Sequence, residues 1–279
     1  MSATLYRLNF ITNLHVGSGE VSFNVIDNEV ERDPVTNLPT IHSSGVKGAL
    51  REYFNQQKVE KEVIEALFGS DLKQSENDAE KEEAKKTSKP GSLRFLTANL
   101  LAMPMRASNG NSPYAMVTTR AALDQYLRLC QALGMTAGFE EKDLLSLDDK
   151  ANYKITGSPL GVEGTNIPDP PLKGKLYDFL LRELGEYAVI LSEDTMSGTS
   201  LPVLARNCLD DGQSKNLWYE EIVPHESVFY FAVLSEKTED LKILAEHIKN
   251  NNLIQFGGNA SIGYGLAQVK AWKGEAVDE

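Results

Sequence analysis

The chain has 279 residues, 41% of them hydrophobic and 24% charged, enough apolar material for a core in one large domain or two small intertwined ones. Two isolated cysteines, Cys130 and Cys208, form no CxxC pair and no zinc spacing and suggest a reducing, cytoplasmic setting. No signal-like or bilayer-spanning apolar run is visible, so no membrane partner is expected. The net charge of −12 weighs against nucleic-acid binding, but much of the acid lies in runs that read as solvated surface: Glu76 to Glu83, Glu140 to Asp149 and the tail from Glu275.

Tyr6, Leu8 and Phe10 alternate with Arg7 and Asn9, the period of a half-buried strand. His15-Val-Gly17-Ser18-Gly19-Glu20 breaks that strand into a glycine loop, and Val25-Ile26 leads to Asp27. Asp33-Pro34 to Asn37-Leu-Pro39 is turn chemistry. Val46, Ala49, Leu50, Tyr53 and Phe54 then recur on one helical face; Ser43 or Ser44 is the expected cap, and Lys47 and Arg51 share another face. A second helix carries Val63, Ile64, Leu67 and Phe68 and stops at Gly69. Residues 70–90 hold almost nothing that can be buried and read as a mobile charged insertion.

A strand over 93–101 and a long polar loop over 103–113 follow. Thr118 or Thr119 is expected to cap a helix whose stripe is Leu123, Tyr126, Leu127 and Cys130. Residues 135–175 are poorly patterned, and a helix is expected near Leu176 to Leu184. Leu201 to Trp218 forms two arms around Asp210-Asp-Gly212, a hairpin signal. Val228 to Leu234 reads as a buried strand, and Thr238 as the cap of a helix with Leu241, Leu244, Ala245 and Ile248 in register. Gly257-Gly258-Asn259-Ala-Ser-Ile-Gly263-Tyr-Gly265 is a second glycine loop before a closing strand. This order predicts a single α+β domain with a ferredoxin-like or RRM-like core carrying insertions.

Few residues declare chemistry. Ser44-Gly45-Val46-Lys47-Gly48 opens a helix, where free N–H groups attract anions; a cation in the first turn is unfavourable unless an anion binds there. Lys47 reads equally as a solvent-facing lysine. The glycine loops admit close approach of a nucleic-acid backbone, but each loop taken alone reads better as a tight turn between strands. Asp27 at a strand mouth is placed to bind a metal or orient a proton donor, but taken alone is a turn-forming aspartate. His15, His42, His225 and His247 form no metal pair.

Combined, these pieces resemble a known family. His15 to Glu20, Ile26-Asp27, Arg32-Asp33-Pro34-x-Thr36-x-x-Pro39-x-Ile41 and Lys47-Gly48-Ala49-Leu50-Arg51 look like the N-terminal signature of RAMP-superfamily CRISPR proteins, and Gly257 to Gly265 like their C-terminal glycine loop. Met103-Pro-Met-Arg106, Tyr114 to Thr118, Leu217-Trp-Tyr-Glu-Glu221, Pro224 and Phe229-Tyr230 are similar to the fourth subunit of type III-B Cmr complexes. The equivalent type III-A Csm subunit shares the first two pieces.

The resemblance implies an RRM-like palm with a β-hairpin thumb at about 201–218. Copies of the chain would stack with one another and with other Cmr subunits along a CRISPR guide RNA. Complementary single-stranded target RNA would be cut at regular intervals by an endoribonuclease dependent on a divalent metal ion, Mg or Mn. The alternatives are a non-catalytic guide-RNA scaffold and the equivalent type III-A Csm backbone subunit. Asp27 matches the family's catalytic aspartate and metal position, with His15 a candidate for proton transfer and Glu220 a candidate helper. RNA binding would fall to Ser44, Lys47, Arg51, Gly17, Ser18, Gly19, Arg106, Arg206, Gly257, Gly258, Asn259, Gly263 and Gly265. Two departures stand out. His42-Ser-Ser-Gly-Val-Lys-Gly48 replaces the family's Pro-Gly-Ser-Ser-Leu-Lys-Gly, and Ile222 stands where a tyrosine often follows Trp-Tyr-Glu-Glu.

Overall fold

The structure, a computed structural model, describes residues 1–19, 25–70, 89–168 and 171–272. The charged insertion expected at 70–90 falls almost wholly outside them. The centre is a mixed sheet. Its core strands are β1 (Ser2–Phe10), β4 (Ala98–Asn109), β5 (Tyr114–Thr119) and β12 (Val228–Ser235), with β9 (Ala188–Leu191), β6 (Tyr153–Lys154), β13 (Leu253–Gln255) and β14 (Leu266–Ala271) outside them. The order is β13-β14-β1-β12-β4-β5-β9-β6, antiparallel except for the β5–β9 pair. Short strands β2 (Thr40–Ile41), β3 (Arg94–Phe95), β7 (Leu160–Val162) and β8 (Thr165–Ile167) attach at its margins.

Both faces of this sheet are covered. Strand alternation sends Tyr6, Leu8, Phe229 and Phe231 to one side and Leu5, Tyr230 and Ala232 to the other. On the first side they meet α1 (Ser43–Gln56), α2 (Lys61–Phe68) and α7 (Thr238–Asn250) through Leu50, Phe54, Phe68 and Leu244. On the second they meet α3 (Arg120–Ala132), the short α4 (Glu141–Leu145) and α5 (Lys175–Leu184) through Leu123, Tyr126, Leu144 and Phe179. A further short helix, α6 (Glu193–Ser197), follows β9. The result is a three-layer α+β arrangement. No described helix is long and apolar enough to cross a membrane.

Three local expectations change. Residues 103–109, expected as loop, continue β4 through Pro104. Pro104 pairs with Met116 after the ladder to β12 has ended at Ala102, so no β12 neighbour needs its missing N–H. The cap of α1 is His42, whose side chain makes no capping bond, while Ser43 and Ser44 lie inside the helix. The last helix is capped by Lys237, with Thr238 its first residue. Thr119 does cap α3, accepting from the Ala122 N–H at 3.2 Å.

One hairpin stands apart as its own two-stranded sheet: β10 (Val203–Asp210) and β11 (Gln213–Glu221). Asp211 and Gly212 both take positive φ at its tip, the geometry that matches a tight turn to strand twist.

The first core carries one unpaired group. The Tyr6 hydroxyl is buried with no hydrogen-bond partner among the described residues, and burial pushes its pKa far above the usual phenol range. Its ring stacks on Phe231 at 5.2 Å. Tyr6→Phe keeps the stack and removes the orphan, so it should stabilise the fold by about 1 kcal/mol, a rise of about 2–4 °C in Tm. A fall in Tm on thermal unfolding would mean that the hydroxyl is bonded.

Candidate functional site

The two glycine loops are packed on each other. The Ile11 N–H donates to the Leu266 carbonyl (2.8 Å), Gly258 N–H to His15 (2.9 Å) and Gly265 N–H to Asn13 (2.7 Å). Gly257 and Gly265 both have φ of 71°, and a Cβ on either would run into a carbonyl oxygen, of His15 and of Phe256 respectively. Close approach and a left-handed backbone together demand glycine there.

The base of the hairpin docks against these loops through its last two glutamates. Neighbouring strand residues point to opposite faces, so Glu220 and Glu221 each meet a different cation. Glu220, 4% exposed, accepts from Arg206 Nε at 2.9 Å and from Asn259 Nδ2 at 2.8 Å; Arg206 Nη2 lies 2.8 Å from the same carboxylate. His15 Nε2 is 3.6 Å away. The Arg206 guanidinium sits 4.6 Å above the Tyr264 ring. Glu221 accepts from Arg32 Nη2 and from the Val30 N–H at 3.1 Å. His15 Nδ1 lies 2.8 Å from the Glu221 carbonyl, which can only accept, so Nδ1 carries the proton and Nε2 faces Glu220.

Asp27 lies beside this knot. Its N–H and that of Asn28 donate to the Tyr219 carbonyl at 3.0 and 3.1 Å, and the Glu221 N–H donates to Asn28 at 2.9 Å. The Tyr219 N–H in turn donates to Asp27 Oδ2 at 2.7 Å. Asp27 is exposed, and among the described residues Oδ1 makes no bond.

Among the described residues no three His, Cys, Asp or Glu side chains gather as a metal site. Glu220 and Glu221 are held by arginines, which leaves Asp27 as a lone open carboxylate. An octahedral Mg or Mn ion would have to draw nearly all its ligands from water and phosphate, so the donors among the described residues do not make a site for it.

The remaining expected RNA-binding residues divide. The Ser18 N–H donates to the Glu29 carbonyl at 3.2 Å, and Gly17 bridges Val30; a Cβ on Gly19, whose φ is 73°, would meet nothing within 4 Å among the described residues. Ser44 is exposed on the first turn of α1, which holds no acidic side chain; Lys47 is exposed at the start of the second turn, and Arg51 is half-buried one turn on. That helix start is tied to the first loop through Glu31, which meets His42 Nε2 at 2.8 Å and donates its N–H to Val16 at 2.7 Å. Arg206, Asn259, Gly257, Gly258 and Gly265 belong to the knot. Gly263 ends the 3₁₀ turn Ala260–Ile262 in open space. Arg106 stands apart: it is exposed at 82% and pairs with Glu163 at 3.4 Å. Sequence reasoning missed Arg32 and Tyr264 as partners. The adjacent glutamates in a strand were the available signal, since two opposed carboxylates at the root of a hairpin need two cations.

The sequence pattern of the RAMP superfamily matches residues 7–268. The chain belongs to the RAMP superfamily. It is homologous over nearly its whole length to Cmr4 proteins: 25% identical to the CRISPR system Cmr endoribonuclease Cmr4 of Pyrococcus furiosus, covering 96% of this chain and 95% of that one. It is also 25% identical to the CRISPR system CMR subunit Cmr4 of Saccharolobus solfataricus, covering 95% of each. Its fold is similar to a chain of the type III-B Cmr-beta complex bound to cognate target RNA, with a TM-score of 0.75 and 22% identity over 97% of both chains. Oligomeric Cmr4 from Pyrococcus furiosus gives 0.70 at 22% identity over 97% of this chain and 98% of that one. The second glycine loop of this chain grips the hairpin through Asn259 and Tyr264.

Two glycines of that loop should separate clearly. Gly265→Ala meets both a positive φ and a backbone oxygen and should cost more than about 3 kcal/mol; Gly263→Ala meets only the φ and should cost about 1 kcal/mol. Equal costs in denaturant titrations would contradict the packing described.

Proposed function

We propose that this chain is a guide-RNA-binding backbone subunit of a type III-B CRISPR effector complex that cuts complementary target RNA. What carries the reading is full-length homology to a relative named an endoribonuclease, together with an open Asp27 carboxylate held at the hairpin root. The central sheet would serve as an RRM-like palm and β10–β11 as the thumb. Copies of the chain, other Cmr subunits, guide RNA and single-stranded target are the partners, in the cytoplasm.

The chemistry that fits is attack by a ribose 2′-oxygen on the adjacent phosphorus, breaking the bond to the 5′-oxygen. Asp27 takes the 2′-hydroxyl proton, and the leaving oxygen takes one from solvent. A carboxylate fixed by a backbone N–H is pre-aimed, which is what an in-line attack requires. His15 and Glu220 act behind Asp27: both are buried, and their polar atoms face each other and the hairpin. Ser44, Lys47, Arg51 and the loop around Gly17, Ser18 and Gly19 would hold guide phosphates, with Arg106 a separate contact.

Asp27→Asn still accepts the Tyr219 N–H but cannot take a proton. In the assembled complex it should load guide normally and lose at least about 100-fold in cleavage rate. Unchanged cleavage would remove Asp27 from the mechanism and favour a scaffold. The guide-binding face is tested separately. Lys47→Glu with Arg51→Glu should weaken guide loading at least about tenfold in low salt and flatten its salt dependence. If loading in gel-shift titrations is unaffected at both low and high salt, the guide does not run past α1.

A further inference from the structure

The hairpin face beside Asp27 carries an aromatic ring that has no ring contact or hydrogen bond among the described residues. Tyr219 is 38% exposed, and among the described residues its ring makes no aromatic contact and its hydroxyl no hydrogen bond. Strand alternation puts Tyr219 on the same face as Leu217, itself 54% exposed. Opposite them across the hairpin stand Ala205 and Asn207, both exposed. The small Ala205 opposite leaves part of the ring open to solvent. The other face is spoken for, because Arg206 points there to Glu220 and Tyr264. An exposed aromatic and an exposed leucine side by side are costly in water unless something planar and apolar covers them.

The backbone of Tyr219 is also what holds Asp27: its N–H donates to Oδ2 and its carbonyl accepts from the Asp27 N–H. Ring and carboxylate therefore hang from neighbouring strands about 4.8 Å apart. A nucleobase laid on the ring would bring its own ribose and phosphate to the carboxylate. The extra hydroxyl edge of tyrosine is not needed for this, only the ring.

We propose that Tyr219 is a positioning residue for the cut: its ring stacks on one base of the target strand and so sets that nucleotide's 2′-oxygen and phosphorus against Asp27. This rests on the endoribonuclease reading above. Stacking tolerates any base, so the device orients the nucleotide without selecting sequence.

The test uses the whole guide-loaded complex under single turnover, with Tyr219→Phe, Tyr219→Leu and wild type. Targets are either intact or carry an abasic nucleotide at the cut. Phe should cut within about twofold of wild type, and Leu about tenfold more slowly on intact target. On the abasic target, wild type should fall to the Leu rate and the two should no longer differ. A Leu rate equal to wild type on intact target would overturn the proposal. So would a Leu defect of the same size on the abasic target, because a merely structural role does not depend on the base. A second readout is independent of cutting. In the Asp27→Asn complex, 2-aminopurine at the cut position should be quenched with Tyr219 or Phe and bright with Leu; equal brightness would also overturn it. A wild-type complex that cuts no ribose target would remove the endoribonuclease reading itself, and this proposal with it. Cutting that ignores Tyr219 removes this proposal alone.

Discussion

A buried carboxylate without a cation is among the most costly things a fold can contain, and Glu220 is where this chain meets that constraint. It sits at the root of the β10–β11 hairpin, 4% exposed, and receives Arg206 from the opposing strand and Asn259 from the second glycine loop. Removing one partner of such a pair typically costs about 3–5 kcal/mol, because the other is left charged and dry. The hairpin, the second glycine loop and the first, through His15, are therefore obliged to stay together. A two-stranded ribbon has marginal stability by itself. Here it is aimed by its base rather than by its own sheet.

The consequences spread outward from that knot. Asn259 reaches Glu220 because it takes a left-handed φ of 61° at the start of the 3₁₀ turn. Gly257 lets the same loop lie on the His15 carbonyl. On the far side of β11, Glu221 and Arg32 pin the chain that runs from Asp27 to Val30 along the strand edge. Asp27 is thus held by backbone through Oδ2 while Oδ1 stays open, the combination that its proposed role in cutting would require. The net charge of −12 fits this division. Cations near the site are largely neutralised within the protein. Under the proposed function, attraction for RNA would fall to exposed groups such as Lys47, and alignment of many copies would matter more than the affinity of one.

Much of the fold was legible because period decides it. The alternation of Tyr6, Leu8 and Phe10, the helical stripe from Val46 to Phe54, and the Asp-Gly tip at residues 211 and 212 each name their element locally. What was not legible lacked a period or was hidden by one residue. Pro104 disguised the long second half of β4, since proline usually argues against a strand and only the early end of the β12 ladder makes it harmless. β2, β7 and β8, of two or three residues, are too short to show alternation. In the candidate site, Asp27 and His15 stood out by their place in the sequence, and the family resemblance assigned them and Glu220 their expected roles. Their division into one open carboxylate and a buried brace was not legible, because it depends on Asn259, 39 residues after Glu220, and on Arg32, 189 residues before Glu221. Only the Arg206–Glu220 pair is diagonal within one hairpin and could be read from its register.

The central claim is that this hairpin root presents a ribose 2′-oxygen and its phosphorus to Asp27. The measurement that bears on it most directly is cleavage of a target carrying a single 2′-deoxy sugar at one of the regularly spaced cut positions, with the guide-loaded complex. Cutting should vanish at that phosphate and persist at the neighbouring sites. Cutting that continues at the deoxy position would contradict the mechanism and the placement of Asp27 within it.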